Sequence, residues 1–221
     1  MYPDPVRRMP MMSDDSNQGK DLARSLEEYR DRSQAAIEAI DVTAVARWTE
    51  EVFQAWRQDR QLLIFGNGGS AATASHLAED LATYAIPFDE PRRLRVLSLN
   101  DSAPTLTALG NDIGFDAVFS EQIQQWARPE DLVLTMSGSG NSPNLVAAIE
   151  RANSIGCKTA AMTGFSGGTL RGMVHHPLHV EIHEMQPAQD AHMIMTHMII
   201  DGFRTLVRTD LAEGVTGGAE G

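Results

Sequence analysis

Residues 61–71 read QLLIFGNGGSA: an apolar run, then GNGGS, a segment least able to fill space or hold itself rigid. Bare backbone at the end of a buried strand leaves room for something to approach closely, and exposed amides point to a phosphate. The segment SAATASHLAEDLATYA that follows has helical character. The same alternation recurs downstream. RLRVLSL (93–99) runs into NDSAPTLTALGND, DLVLTMS (131–137) into GSGNS and the helical SPNLVAAIERANSIG, and KTAAMTG (158–164) into FSGGTLRGM. LHVEIH (178–183) then precedes a long helix expected over 188–211. Short apolar runs separated by helix-length segments need crossover connections, so the expected fold is α/β, a doubly wound, mostly parallel five-stranded sheet flanked by helices.

Ahead of the strands, apolar residues recur at helical spacing from Lys20 to Ile40 (Leu22, Leu26, Tyr29, Ala36) and from Val42 to Arg60 (Val45, Trp48, Val52, Phe53, Trp56). Asp41 is the expected N-cap of the second helix. At 221 residues the chain is expected to form one domain over 20–211, its helical pair occupying 20–60. A disordered arm at 1–19 and a flexible tail at 212–221 are expected from their composition.

With 42% hydrophobic and 22% charged residues, the bulk of the chain should fold. A formal net charge of −12 argues against nucleic acid as a partner, because binding a phosphate backbone needs clustered Lys and Arg. An anionic ligand must therefore be held locally. The chain has no apolar run long enough to span a bilayer and no signal-peptide pattern, so the expected location is cytoplasmic, away from membranes. The single cysteine, Cys157, cannot form an internal disulfide and reads as a small core residue.

In a sheet of this kind ligands bind at the carboxyl ends of the strands, where loops lead into helix N-termini. Two loops fit that place. GNGGS (66–70) can curl its amides toward an anion. SGSGNS (137–142) adds three hydroxyls, Ser137, Ser139 and Ser142, with Pro143 suited to the first turn of a helix. Either loop alone could be an ordinary turn with a serine cap; two on one sheet edge favour a phosphate cradle that needs no lysine. A dinucleotide is the rival ligand, since GNGGSA fits G-x-G-x-x-A. Against it, the next strand ends at Asn100 and Asp101, over thirty residues on, whereas the ribose-binding acid is expected about twenty on.

His76 and Asp80 stand at i, i+4 on the helix after GNGGS, a spacing suited to a metal or to acid–base work. In the last helix Gln189, Met193 and His197 share a stripe, with His192 one position off it in an apolar setting. His179, Glu181 and His183 alternate with Val180 and Ile182 as in a half-exposed strand, and His175 and His176 read as loop.

GNGGSAATASHLAEDL, LTALGND with GFDAVFSEQI, MSGSGNSPNLVAAIERANSIG, TGFSGG and QDAHMIMTHMII together resemble the sugar isomerase (SIS) domain family, in particular the phosphoheptose isomerases acting on sedoheptulose 7-phosphate. The resemblance covers about residues 20–210 and implies a flavodoxin-like sheet, a homotetramer with active sites between subunits, and a zinc-assisted ketose–aldose isomerisation through an enediol. It implies sugar-phosphate binding by Asn67, Gly68, Gly69, Ser70, Ser137, Gly138, Ser139, Asn141, Ser142 and Gln189. It implies Zn2+ ligation by His76, Asp80, Gln189 and His197, with Asp80 and His197 as the catalytic acid–base pair. Three positions depart from the family's pattern: Asp80 stands where it has glutamate, Gly138 where STSGNS has threonine, and Gln186 where it has an acid. The alternative is a non-catalytic SIS module that binds a sugar phosphate or a protein; those resembling this fold that associate with the bacterial replication initiator have lost the carboxylate.

Overall fold

Every pairing in the sheet is parallel, and the order of its strands is set by where the chain reverses direction across it. A computed structural model describes residues 15–217, with side chains described over 19–213. The helical pair comes first, α1 (Asp15–Glu38) and α2 (Val42–Arg57). Then β1 (Gln61–Gly66) leads into α3 (Gly69–Thr83), and β2 (Arg95–Ser98) into α4 (Ala103–Asp112) and α5 (Val118–Trp126). Next β3 (Leu132–Ser137) leads into α6 (Pro143–Ile155), β4 (Lys158–Thr163) into the single turn α7 (Gly168–Arg171), and β5 (His176–His179) into α8 (Met185–Gly217). The sheet order is β2-β1-β3-β4-β5, as in flavodoxin-like folds. The chain winds one way from β1 to β2 and the other way from β3 onward, so the carboxyl ends of β1 and β3 flank the switch point where such sheets bind ligands.

Strands buried on both faces divide their side chains between two cores. Leu62 and Ile64 of β1, with Leu132 and Leu134 of β3, face Trp48 and Trp56 of α2, Leu77 and Leu81 of α3, and Phe203 of α8. Leu63 and Phe65 face the other way, toward Phe119 of α5 and Leu145 and Ile149 of α6, with Phe65 and Phe119 stacked at 4.9 Å. Asp41 caps α2 as the sequence indicates, its Oδ1 accepting from the N–H groups of Thr43 (2.9 Å) and Ala44 (3.0 Å). Cys157 is buried, and burial, followed by the nearby Asp131 and Glu130, pushes its thiol up to about 12. It is a core residue and no nucleophile at neutral pH.

Several boundaries differ from the expected ones. The last strand is His176–His179, not 178–183. The alternation in HVEIH suggests a strand, but the ladder with β4 pairs Ala160 with His176 and Thr163 with His179, and the chain leaves the sheet after Val180. Pro177 is tolerated because β5 is an edge strand whose outer side needs no donor. His176, expected in a loop, lies in this strand with its ring 5.5 Å from that of Trp48. Helix α1 begins at Asp15, within the expected arm, and α8 continues through the expected tail to Gly217. The rest of the arm, 1–14, and of the tail, 218–221, lies outside the described residues. Among the described residues no helix is long and apolar enough to cross a membrane.

Replacing Ile64, fully buried beneath α2 and α3, by alanine removes three methyl or methylene carbons from a packed site. The expected cost is about 3 kcal/mol, a fall in Tm of roughly 10 °C followed by circular dichroism. A shift of less than about 2 °C would remove Ile64 from the central core.

Candidate active site

The two glycine-rich loops meet at the switch point because side chains tie them together. Asn67 Nδ2 donates to Asn144 Oδ1, and Asn144 Nδ2 donates back to Asn67 Oδ1, both at 2.9 Å. This reciprocal pair joins GNGGS to the first turn of α6. On the other side Asn100, just beyond β2, accepts from the Gly66 N–H (3.1 Å) and donates to the Gly66 carbonyl (2.9 Å). Glycine is required at 66 by closeness, since a Cβ there would lie 2.9 Å from the Met136 carbonyl. At Gly68 the requirement is backbone conformation, φ +55° at the start of α3.

Between the loops lies a cavity of about 300 Å³. Asn67, Gly68, Gly69, Ser70, Ser137, Gly138, Ser139, Ser142 and Gln189 line it together with Met136, Leu145 and Met185. Asn141, expected there, turns away: its Oδ1 accepts from the Thr169 N–H (2.9 Å) and Oγ1 (3.0 Å), which fastens the serine loop to α7. Ser137 Oγ accepts from the Gly140 N–H (3.0 Å). Neither α3 nor α6 has a side-chain cap: Gly68 has no side chain, and Ser142, in the capping position of α6, makes no cap hydrogen bond. Two uncapped helix starts therefore face a cavity rimmed by hydroxyls, an anion-binding arrangement with no charged side chain among its lining residues.

Helices α3 and α8 run parallel, and their contacts set out a second group. Gly69 lies against the amide of Gln189, and two turns further on His76 meets His197. The two Nε2 atoms are 3.1 Å apart with the rings edge to face at 81°. Asp80 Oδ2 lies 3.6 Å from His76 Nε2, and one ligand atom from each of the three falls within 4.8 Å of the others. Two imidazole lone pairs cannot face each other at that distance unless a proton or a cation lies between them. In a tetrahedral zinc site with bonds of 2.0–2.1 Å, neighbouring nitrogens are about 3.4 Å apart, so this donor set fits the ion. Gln189 stands apart from the trio. Eight residues of α8 separate it from His197, about 12 Å along the axis, and its amide lies at the cavity.

Three contributors were not legible as such in the sequence: Asn100, Asn144 and Asp190. Asp190 accepts from Tyr29 OH (2.7 Å) and Ser33 Oγ (2.8 Å), and Arg32 pairs with Glu184 at 3.0 Å, so α1 is bolted to the N-terminal end of α8 beside Gln189. His192, facing inward from α8, is buried with neither ring nitrogen hydrogen-bonded. Its imidazole is lowered to about 4, first by burial, with His179 adding to the shift and the Thr163 backbone opposing it.

This fold, with hydroxyl- and glycine-rich loops at the switch point, defines a class: the family model for the SIS domain matches residues 26–164. The chain is 35% identical over 175 residues to a probable phosphoheptose isomerase of Thermoplasma volcanium, spanning 79% of this chain and 88% of that one. It is 40% identical over 151 residues to a phosphoheptose isomerase of Geobacter sp. (strain M21), spanning 68% and 77%. The solved phosphoheptose isomerase from Neisseria gonorrhoeae superposes with a TM-score of 0.76 at 30% identity, covering 85% of this chain and 99% of that one. The chain belongs to the SIS domain family, in its phosphoheptose isomerase branch.

The burial of His192 gives stability a pH dependence. Unfolded, an imidazole takes up a proton near pH 6.5; folded, His192 does so only near 4. Stability due to this group is complete above about 6.5 and falls as pH drops toward about 4, by at most on the order of 3 kcal/mol. Urea titrations from pH 7 to 4 should show this loss, and His192→Leu should flatten it; an unchanged slope in the variant would assign the acid sensitivity elsewhere.

Proposed function

We propose that this protein is a ketose–aldose isomerase of a phosphorylated sugar, converting sedoheptulose 7-phosphate to D-glycero-D-manno-heptose 7-phosphate. One observation carries the reading: a neutral, hydroxyl-rimmed cavity at the starts of α3 and α6, with α3 and α8 bringing a carboxylate and two imidazoles together two turns further on. The cavity suits the phosphate of the sugar, held by Ser70, Ser137, Ser139, Ser142 and the backbone of Gly68 and Gly69. Anchoring that end restricts where C1 and C2 of the open chain can lie.

The reaction moves one hydrogen between neighbouring carbons. A base takes a proton from C1 of the ketose as the C2 oxygen gains one, forming the cis-enediol; the C1 hydroxyl then loses its proton and C2 receives one, leaving the aldehyde. Asp80 and His197 divide this work as base and acid, and their separation lets them serve adjacent carbons. His76, Asp80 and His197 would hold Zn2+. When bound, the ion supplies a Lewis acid for the carbonyl oxygen.

The protein acts in the cytoplasm as a homotetramer with sites between subunits. One feature supports contact between subunits: an apolar cavity of about 310 Å³ flanked by Val45, Met198 and Leu206 opens between α2 and α8.

Asp80→Asn and His197→Ala should each lower kcat by about 10²–10⁴-fold. Binding of the sugar phosphate, measured by calorimetry, should persist in both. Turnover in deuterium oxide followed by NMR reports proton exchange at C1 and C2 directly. Full turnover by both variants would reject the acid–base assignment, and purified protein free of zinc that still turned over would reject the metal.

A further inference from the structure

Gly138 sits at the head of the serine loop with its backbone pinned: its carbonyl accepts from the Gly164 N–H at 2.9 Å. A Cβ built on it would collide with Met185 Sδ and lie 3.1 Å from Met185 Cε, with Phe165 Cε2 at 4.0 Å. The space over residue 138 is thus already filled, and by a thioether that reaches in from another element. Met185 is the first residue of α8, one turn before Gln189 and on the same face, and both line the cavity. It is 40% exposed, so it is no part of the folded core.

We propose that Met185 is a specificity-determining residue, an adjustable apolar wall that closes the phosphate cavity over Gly138 and selects among phosphosugars by the shape of the carbons next to the phosphate. The rest of the lining carries hydroxyls and amides that suit the phosphate oxygens, beside Met136 and Leu145. A thioether donates no hydrogen bond and accepts only weakly, so a sugar carbon meeting it must present C–H rather than a hydroxyl. Its unbranched chain has three rotatable bonds, which lets it follow a substrate that fits and obstruct one that does not. Glycine at 138 and methionine at 185 form a coupled pair. With the backbone at 138 tied to Gly164, any side chain there must displace Met185.

The inference rests on the reading of this cavity as the sugar-phosphate site, and the experiment separates the two. Wild-type protein is first titrated with sedoheptulose 7-phosphate and with inorganic phosphate by calorimetry; absence of binding by both overturns the cavity assignment itself. With binding established, kcat and KM are measured for seven-, six- and five-carbon ketose phosphates with wild type, Met185→Ala, Met185→Leu, Gly138→Ser and the Gly138→Ser/Met185→Ala double variant. Met185→Ala should raise KM for the preferred sugar about tenfold, with kcat changing less, and should shrink the ratio of kcat/KM between preferred and poor sugars by about tenfold, the scale of a lost apolar contact in a pocket. Met185→Leu should keep most of the discrimination. Gly138→Ser should raise KM by about tenfold in the wild-type background and by less than about twofold in the Met185→Ala background, since only the first has a thioether to displace. A kcat/KM ratio unchanged in Met185→Ala, or equal effects of Gly138→Ser in both backgrounds, would overturn the proposal. Thermal unfolding of each variant identifies any loss of fold, and selectivity among sugars is a ratio that a uniform loss of folded protein does not move.

Discussion

Two carboxamides facing each other across the switch point hold the site together. Asn67 and Asn144 exchange two hydrogen bonds at 2.9 Å in a half-buried position, where an unpaired amide costs about 1–3 kcal/mol, so the pair is maintained or lost as a unit. Everything the cavity offers depends on that closure. Without it GNGGS would be three glycines free to sample many conformations; with it, the start of α3 and the start of α6 point at one volume. Asn100 completes the constraint by clamping Gly66 through both its backbone groups. The GNGGS loop has little side chain to order itself, and its order comes from the pairing of Asn67 with Asn144 and from the clamp of Asn100.

A second constraint governs the helices that carry the ionisable groups. Because α3 and α8 run parallel, one contact at Gly69 and Gln189 fixes another two turns on at His76 and His197. The helices approach closely at that end, where a Cβ at residue 69 would lie 3.0 Å from the Gln189 amide. Helix α1 holds the same end of α8 from outside: Tyr29 and Ser33 both donate to Asp190, and the hydrogen bond to that carboxylate is the main cause of the Tyr29 phenol's raised pKa. The N-terminal helices therefore act on the site through α8 without lining the cavity themselves.

The fold was legible in the sequence because its signals are local. Runs such as LLIF and DLVLTMS, bounded by glycine and serine and separated by helix-length segments, dictate a parallel sheet whatever their partners, and the i, i+4 spacing of His76 and Asp80 survives folding intact. The errors have one cause, tertiary context. HVEIH alternates as a strand should, but β4 is engaged two residues earlier, and Pro177, which argues against a central strand, is acceptable at an edge. Asn144 in SPNLV looks like any polar residue of a first turn, and only the approach of β1 gives it Asn67 as a partner. Met185 lies 47 positions from Gly138, and nothing in either neighbourhood announces that one fills the space the other leaves.

The charge of the protein makes this architecture informative. A chain with a formal net charge of −12 repels an anion at long range, yet its cavity presents no cation among the described lining residues. At physiological salt the Debye length is about 8 Å, so distant carboxylates are largely screened and a ligand at the loops responds to what lies within the first few ångströms. There it meets helix starts and hydroxyls, whose hydrogen bonds are short-ranged and directional. Such a cradle discriminates by fit more than by charge: a lysine would attract any anion from a distance, whereas fixed N–H and O–H groups reward only the anion whose oxygens match them. Neutral donors on the floor and a thioether on the wall are two halves of the same principle, in which position rather than net charge decides what the cavity accepts.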